Sequence, residues 1–256
     1  MPYSIMLDAG HGGPDPGAVY KGRQEKDDTL RLVLAIGEIL QNNGIDVEYT
    51  RTTDVYESPY QKAMEANEAG VDYFVSIHRN SSETPNQYMG VESLVYDLSG
   101  IKYEMAQNIN AQLETVGFVN LGVKARPNLV VLRRTRMPAV LVEVGFINSD
   151  TDNKIFDENF EDIAEAIARG IIETIQPGHM SGNVGTERYS VQVGSFRNMR
   201  YAERLKQELQ GEDFPAYIEK SGEFNRVRVG KGLTLEEATQ LEQVLRKSGY
   251  QTVIVN

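Results

Sequence analysis

The sequence predicts two domains of different class. The first is α/β, with a mostly parallel sheet and helices on both faces. The second is a small α+β domain of ferredoxin-like βαββαβ order. Three observations predict them. Up to residue 176, short apolar runs alternate with helical patterns, as in a parallel sheet covered by helices. Residues 177–187 hold Pro177, three glycines and no hydrophobic period, and read as a flexible linker. From 188 to 256 the pattern runs strand, helix, strand, strand, helix, strand, the split βαβ arrangement with an internal pseudo-repeat.

Taken in order, Ser4–Asp8 is a short apolar run and reads as a strand. Leu30, Val33, Leu34, Gly37 and Leu40 follow helical spacing and predict one packed face. Asp46–Thr50 is a strand after the Asn43-Gly44 turn. Ser58 as N-cap, Pro59 at the first helical position and Gln61 as capping-box partner open the next helix. Strands are expected at Asp72–Ile77, Val91–Tyr96, Leu129–Leu132 and Ala139–Val144, with a helix over Tyr103–Val116. A last helix over Phe160–Ile175 carries Ile163, Ala164, Ile167, Ile171 and Ile175 on one face. After the linker come a strand at Tyr189–Phe196, a helix at Met199–Leu209 and strands at Ala216–Lys220 and Arg226–Val229. A capping box at Thr234-Leu235-Glu236-Glu237 opens a helix through Leu245, and Thr252–Val255 is the final strand.

Composition narrows the chemistry. The chain of 256 residues is 40% hydrophobic and has no cysteine. Disulfides, thiolate metal sites and a cysteine nucleophile are therefore excluded, and any transition-metal site must use His, Asp and Glu. No apolar run is long enough to span a bilayer. The start, Met1-Pro2-Tyr3, shows no basic stretch, apolar core or cleavage site of a signal peptide. The expectation is release by lysis or through a holin, or a chain shortened at its start. The net charge of -11 is uneven: residues 188–256 carry 11 Lys+Arg against 9 Asp+Glu, and the first 187 carry 15 against 28. An acidic first domain repels nucleic acid. The faintly basic second domain is the better partner-binding module.

His11, Glu25, His78 and Glu143 are the residues that carry chemistry. His11 lies in Asp8-Ala9-Gly10-His11-Gly12-Gly13, just past the first strand. His78 follows Val75-Ser76-Ile77, and Glu143 ends the apolar run Ala139-Val140-Leu141-Val142. In an open parallel sheet the ligand crevice lies beyond the carboxyl ends of the strands, so three strands deliver these side chains to one place. Glu25, on the approach to the first helix, can close over the same edge. Two imidazoles and one carboxylate can hold a zinc ion with one position open for water, and a further carboxylate can take that water's proton. Each residue alone has an ordinary explanation. Glu25 suits the first turn of any helix, and either histidine could be a turn or strand-end residue. Glu143 is harder to dismiss, since a carboxylate after a buried run is costly unless paired, protonated or beside a metal.

These motifs, with Glu25-Lys26-Asp27, Ser76-Ile77-His78-Arg79-Asn80 and Pro138–Phe146, resemble the zinc-dependent N-acetylmuramoyl-L-alanine amidases of the Amidase_3 type, over nearly all of residues 3–176. The resemblance implies zinc held by His11, Glu25 and His78, with Glu143 acting on the attacking water. It implies hydrolysis of the amide between N-acetylmuramic acid and L-alanine in bacterial peptidoglycan. Asp8 or Asn80 is expected to orient the ligands. Arg79 stands where the family usually has a small residue, and is expected to alter substrate contacts near the metal. Only one helix is expected between Val91 and Leu129. Some septal relatives insert an inhibitory helix there, so this chain is expected to act without an activator.

Residues 188–256 resemble a SPOR domain through Tyr189–Phe196, Arg226-Val227-Arg228-Val229-Gly230 and the element order. That resemblance implies binding of glycan strands stripped of stem peptides, with Gln192, Ser195, Phe196, Arg226 and Arg228 on the binding face. Alternation puts Arg226 and Arg228 on one side and Val227 and Val229 on the other. The segment lacks the aromatic pattern that stacks RNA bases. The expected protein is thus a monomeric autolysin or endolysin acting at the bacterial cell wall, with no nucleic-acid or membrane partner. The rival reading is a non-catalytic peptidoglycan-binding or regulatory protein on a degenerate amidase fold. Another metal hydrolase is a weaker rival. Phosphoryl transfer is disfavoured because a phosphate-cradling Gly-Lys-Ser/Thr loop is missing.

Overall fold

A computed structural model describes residues 3–176, 189–233 and 235–255. The expected linker, with His179, and the capping box at Thr234 lie outside the described residues. The chain divides into two compact units, Met1–His179 and Met180–Asn256.

The first unit runs β1 (Ser4–Ala9), β2 (Val19–Tyr20), β3 (Arg23–Gln24), α1 (Glu25–Asn42), β4 (Asp46–Tyr49), α2 (Pro59–Ala69), β5 (Tyr73–Asn80), β6 (Val91–Val95), α3 (Gly100–Thr115), β7 (Asn120–Ala125), α4 (Val130–Arg134), β8 (Ala139–Phe146), α5 (Asp150–Glu158) and α6 (Phe160–Ile175). Six strands form one sheet in the order β4-β1-β5-β8-β6-β7. All neighbouring pairs are parallel except β6 with β8. Helices cover both faces, as expected. On one face Ala66 of α2 and Val131 and Leu132 of α4 pack with Met6, Phe74, Leu94 and Leu141. On the other, α1 and α6 lie together, α3 packs on α6, and α1 and α3 meet the strands.

Several elements follow local sequence directly. Ser58 caps α2, with a reciprocal bond to Gln61 and Pro59 in the first turn, and Gly70 ends the helix in the left-handed region at φ 69°. The apolar face of α6 buries Ile163, Ala164, Ile167, Ile171 and Ile175.

Four expectations need correction. The packed face of α1 is Leu32, Val33, Ile36, Gly37 and Leu40, while Leu34 is 39% exposed and Leu30 only half-buried. A helix sandwiched between β1, β5 and α6 buries a stripe offset from the one that counting leucines suggests. Leu129–Leu132 is not a strand: Leu129 precedes the helix α4, whose Val131 and Leu132 are buried. A four-residue apolar run fits either element, and the packing partner decides. The edge strand β7, in which no residue is fully buried, and the helix α5, capped by Ser149, carry too little hydrophobic pattern to stand out. Finally, β5 runs three residues past its expected end, so His78 lies within a strand rather than beyond it, while β8 runs two residues past its expected end and holds Glu143 inside it.

The second unit is β9 (Tyr189–Phe196), α7 (Met199–Gly211), β10 (Ala216–Ser221), β11 (Phe224–Leu233), α8 (Leu235–Lys247) and β12 (Val253–Val255). Its sheet order, β10-β11-β9-β12, is antiparallel throughout, as the ferredoxin-like reading requires. Both helices contribute to one core with Val191, Ala202, Leu209, Val227, Val229, Ala238 and Leu245, which leaves the other sheet face open.

Candidate metal centre and wall-binding face

The loop after β1 brings His11 to the sheet edge by an unusual path. His11 itself sits at φ 62°, a region rarely used by residues with a Cβ. A two-bond bridge between Gly12 and Asp15 (3.0 and 3.1 Å) closes the turn beneath it. Arg51 and Lys62 donate to the carbonyl of Ala9, and Arg51 and Thr29 to that of Gly10, at 2.7–3.1 Å. Two glycines are dictated by close approach. A Cβ on Gly10 would stand 2.5 Å from the His78 ring, and one on Gly17 would stand 2.6 Å from both Glu25 and His11.

Glu25 opens α1 and is buried. Its Oε2 is 3.1 Å from His11 Nε2 and accepts from the Ala18 N–H at 2.9 Å. Its Oε1 is 2.9 Å from His78 Nδ1 and accepts from the Arg79 N–H at 3.0 Å. Burial pushes its pKa up, but the two imidazoles outweigh that and hold the carboxyl far below its ordinary value. Burial likewise lowers His11, and Glu25 and Asp15 reverse this and raise it to about 9. The two rings meet edge to face, 4.9 Å between centroids.

One ligand atom from each of His11, Glu25 and His78 lies within 4.8 Å of the other two. A tetrahedral zinc ion with bonds of ~2.0 Å places its donors about 3.3 Å apart. Two of the contacts, at 3.1 and 2.9 Å, are already close to that spacing. The donor set, two imidazoles and a carboxylate, is of the type found at hydrolytic zinc sites. The residues therefore fit the ion.

Glu143 stands beside this cluster. It is the register partner of His78 on the neighbouring parallel strand. Its Oε2 is buried and has no hydrogen-bond partner. Burial raises its pKa to about 7, helped by the Glu25 and Glu92 carboxylates and opposed by His78. A carboxyl poised near neutrality can both take and return a proton.

The supporting residues differ from expectation. Asp8 does not orient a ligand. It is buried, paired with Lys62 at 2.7 Å, and accepts from Thr50 and Ser76. Asn80 instead donates to Glu92 at 2.8 Å. The partner of His11 is Asp15, whose Oδ2 lies 2.9 Å from Nδ1. Sequence reasoning missed it, although its four-residue spacing within a Gly-Pro turn was available. Arg79 does not share the face of His78. Alternation along β5 turns it away from His78, and it is 2% exposed, bonded to Asp28 and Asn153.

On the second unit, Arg226 pairs in register with Ser195, and Arg228 with Gln192. These four share the open face, opposite the buried Val227 and Val229. A register shift between Val227 and Arg228 breaks the alternation of β9. Phe196 consequently packs against the hydrophobic core and not with the other four. Arg228 is itself buried and ion-paired with Glu219 at 2.9 Å, so Arg226 is the more available cation.

Comparison with known proteins agrees with this architecture. Residues 5–173 match the N-acetylmuramoyl-L-alanine amidase family, and residues 185–256 match the SPOR domain. The chain is 34% identical over 220 residues to the sporulation-specific N-acetylmuramoyl-L-alanine amidase of Bacillus subtilis (strain 168), covering 84% of this chain and 83% of that protein. It is 35% identical to the endolysin of Bacillus phage SPP1, over 70% of this chain and 68% of the endolysin. The solved N-acetylmuramoyl-L-alanine amidase from Clostridium difficile 630 superposes with a TM-score of 0.65 at 31% identity, covering 69% of this chain and 98% of that structure. Among the described residues, no helix is long and apolar enough to cross a membrane. By sequence and by fold, this chain belongs to the N-acetylmuramoyl-L-alanine amidases that act on peptidoglycan at the cell wall, and it carries a C-terminal SPOR domain.

Proposed function

We propose that the chain is a zinc-dependent amidase that cleaves the bond between the lactyl group of N-acetylmuramic acid and L-alanine of the stem peptide. Residues 1–176 form the catalytic domain, 177–187 the linker and 188–256 the glycan-binding domain. His11, Glu25 and His78 hold the zinc. The observation that carries the reading is their convergence beside a buried carboxylate with an unpartnered oxygen. A bound zinc ion acidifies water and polarises a carbonyl. Glu143 accepts the proton released as water attacks, and returns it to the departing amine. Its pKa near 7 serves both steps. Asp15 fixes the tautomer of His11 by taking the Nδ1–H, leaving Nε2 free for the metal.

The SPOR domain binds glycan from which peptides have been removed, through Gln192, Ser195, Arg226 and Arg228. The catalytic domain makes that product. Tethering the two raises the local concentration of enzyme where the wall is already being opened. The test is mass spectrometry of fragments released from purified sacculi, with and without chelator. Amidase action exposes a free L-alanine amino terminus and stops when zinc is removed. Release of glycan or peptide fragments without that terminus, or full activity in chelator, refutes the reading.

A further inference from the structure

Arg79 is the most conspicuous buried cation in the first unit, and it adjoins a proposed metal ligand. Its guanidinium donates through Nη1 to Asp28 Oδ2 at 2.6 Å and through Nη2 to Asn153 Oδ1 at 2.8 Å. It also lies 4.2 Å over the Phe156 ring. Burial pulls its pKa down to about 10, against the Asp28 carboxylate. A charge in this position must be matched to be tolerated, and Asp28 matches it.

Asp28 lies three residues beyond Glu25 on α1, in the first turn. It accepts a second bond, from Arg23 Nε at 2.6 Å, and Arg23 in turn holds Asp157 with both terminal nitrogens. Asn153 is tied by its own amide to the carbonyl of Ile147, just past β8. Arg79 therefore joins three elements around the site: β5, which carries His78; α1, which begins with Glu25; and α5, which follows β8. Its main chain acts on the same target, because the Arg79 N–H donates to Glu25 Oε1 at 3.0 Å. Arg79 thus fastens the strand bearing one ligand to the helix bearing another at two points, one through its main chain and one through its side chain.

We propose that Arg79 is a positioning residue that sets the carboxylate of Glu25 between the two imidazoles by clamping Asp28, and so tunes zinc affinity. This rests on the zinc reading above. Lysine keeps the charge but lacks a planar fork that can reach Asp28 and Asn153 while stacking on Phe156. Arg79→Lys is therefore only a partial rescue.

The experiment uses the full chain, stripped of metal and titrated with zinc against a chromogenic chelator, beside Arg79→Met, Arg79→Lys and Asp28→Asn. Loss of an outer partner of a metal ligand typically weakens affinity by about 10–100-fold. Arg79→Met and Asp28→Asn keep the Arg79 N–H bond to Glu25 and act one residue further out, so a loss at the lower end of that range, about 10-fold, is expected for both, with Arg79→Lys between them and wild type. The rate at saturating zinc should change far less. If Arg79→Met does not fold, the other two variants carry the test. Tight zinc uptake by wild type and equal uptake by every variant that folds overturns the role of Arg79 and leaves the zinc reading standing. The same holds if the metal-free variants melt lower but bind zinc as tightly as wild type. No zinc uptake by wild type overturns the zinc reading and this inference with it.

Discussion

His78 and Glu143 are register partners on adjacent parallel strands, β5 and β8. Parallel pairing sends both side chains out on one face, so the proposed ligand and the proposed base are placed by the sheet itself. Only His78 of the two has a partner, Glu25. The free oxygen of Glu143 is what a water-activating group requires. Glu143→Gln should retain the zinc content of wild type and lose about 10²–10⁴-fold in rate, the scale of general acid–base catalysis. Metal analysis and muropeptide turnover on the same preparation check both halves. Near-normal turnover removes Glu143 from the chemistry.

Asp15 is the natural target for asking what orients His11. It is the carboxylate that holds Nδ1, at 2.9 Å, and it also closes the turn by accepting from the Gly17 N–H. Asp15→Ala frees the ring to rotate and should weaken zinc binding about 10–100-fold. Asp15→Asn keeps an acceptor oxygen and should lose less. Chelator competition on the two variants checks the order, and equal affinity for all three proteins would show that the His11 backbone alone fixes the ring.

The buried pair of Asp8 and Lys62 predicts a pH-dependent stability. Burial raises the Asp8 pKa, but Lys62, with smaller help from His78 and Ser76, outweighs it and the carboxyl ends below its ordinary 3.8. The folded state then binds fewer protons than the unfolded one. The contribution is complete above 3.8 and is lost as pH falls through the lower folded value. Lys62→Met leaves a buried carboxylate without its cation and should destabilise by about 3–5 kcal/mol at neutral pH. In that variant His78 and Ser76 still favour the carboxylate, but the largest opponent of burial is gone, so the Asp8 pKa should rise and the penalty should shrink as pH is lowered and the group protonates. Denaturant melts of both proteins between neutral pH and pH 4 measure this. A penalty that stays constant over that range rules out the pair as its source.

Much of this was legible in the sequence, and the failures have physical reasons. The alternating elements, the cap of α2 and the face of α6 are written in local pattern and were found. The proposed metal set and base were legible because His11, His78 and Glu143 sit at the ends of apolar runs and Glu25 opens the first helix. What could not be read is what depends on partners distant in sequence. Asp8 looked like a ligand-orienting residue until the structure placed Lys62, 54 residues on, against it. Arg79 looked like a substrate contact because its neighbour is His78, yet alternation turns successive residues to opposite faces. Phe196 was misplaced for the converse reason: a register shift in its pairing with β11 spoils the period-two count.

The open face of the SPOR domain gives the last prediction. Arg226 is half-buried and faces Ser195 across the strand pair, while Arg228 is held by Glu219. A glycan stripped of peptides offers hydroxyl and amide groups, which a guanidinium can meet with several donors in one plane. Reversing the charge at Arg226 adds repulsion toward Glu219, its register partner on β10, and removes those donors. Arg226→Glu should therefore reduce pelleting of the full chain with peptide-free sacculi and leave hydrolysis of a small soluble muropeptide unchanged. Phe196→Ala should act differently. It removes a ring packed against the core, so it should lower the stability of the second unit by about 1–3 kcal/mol and affect binding only through unfolding. Co-sedimentation and thermal melts of the two variants separate these outcomes. Pelleting by Arg226→Glu equal to that of wild type would place the glycan elsewhere on the domain.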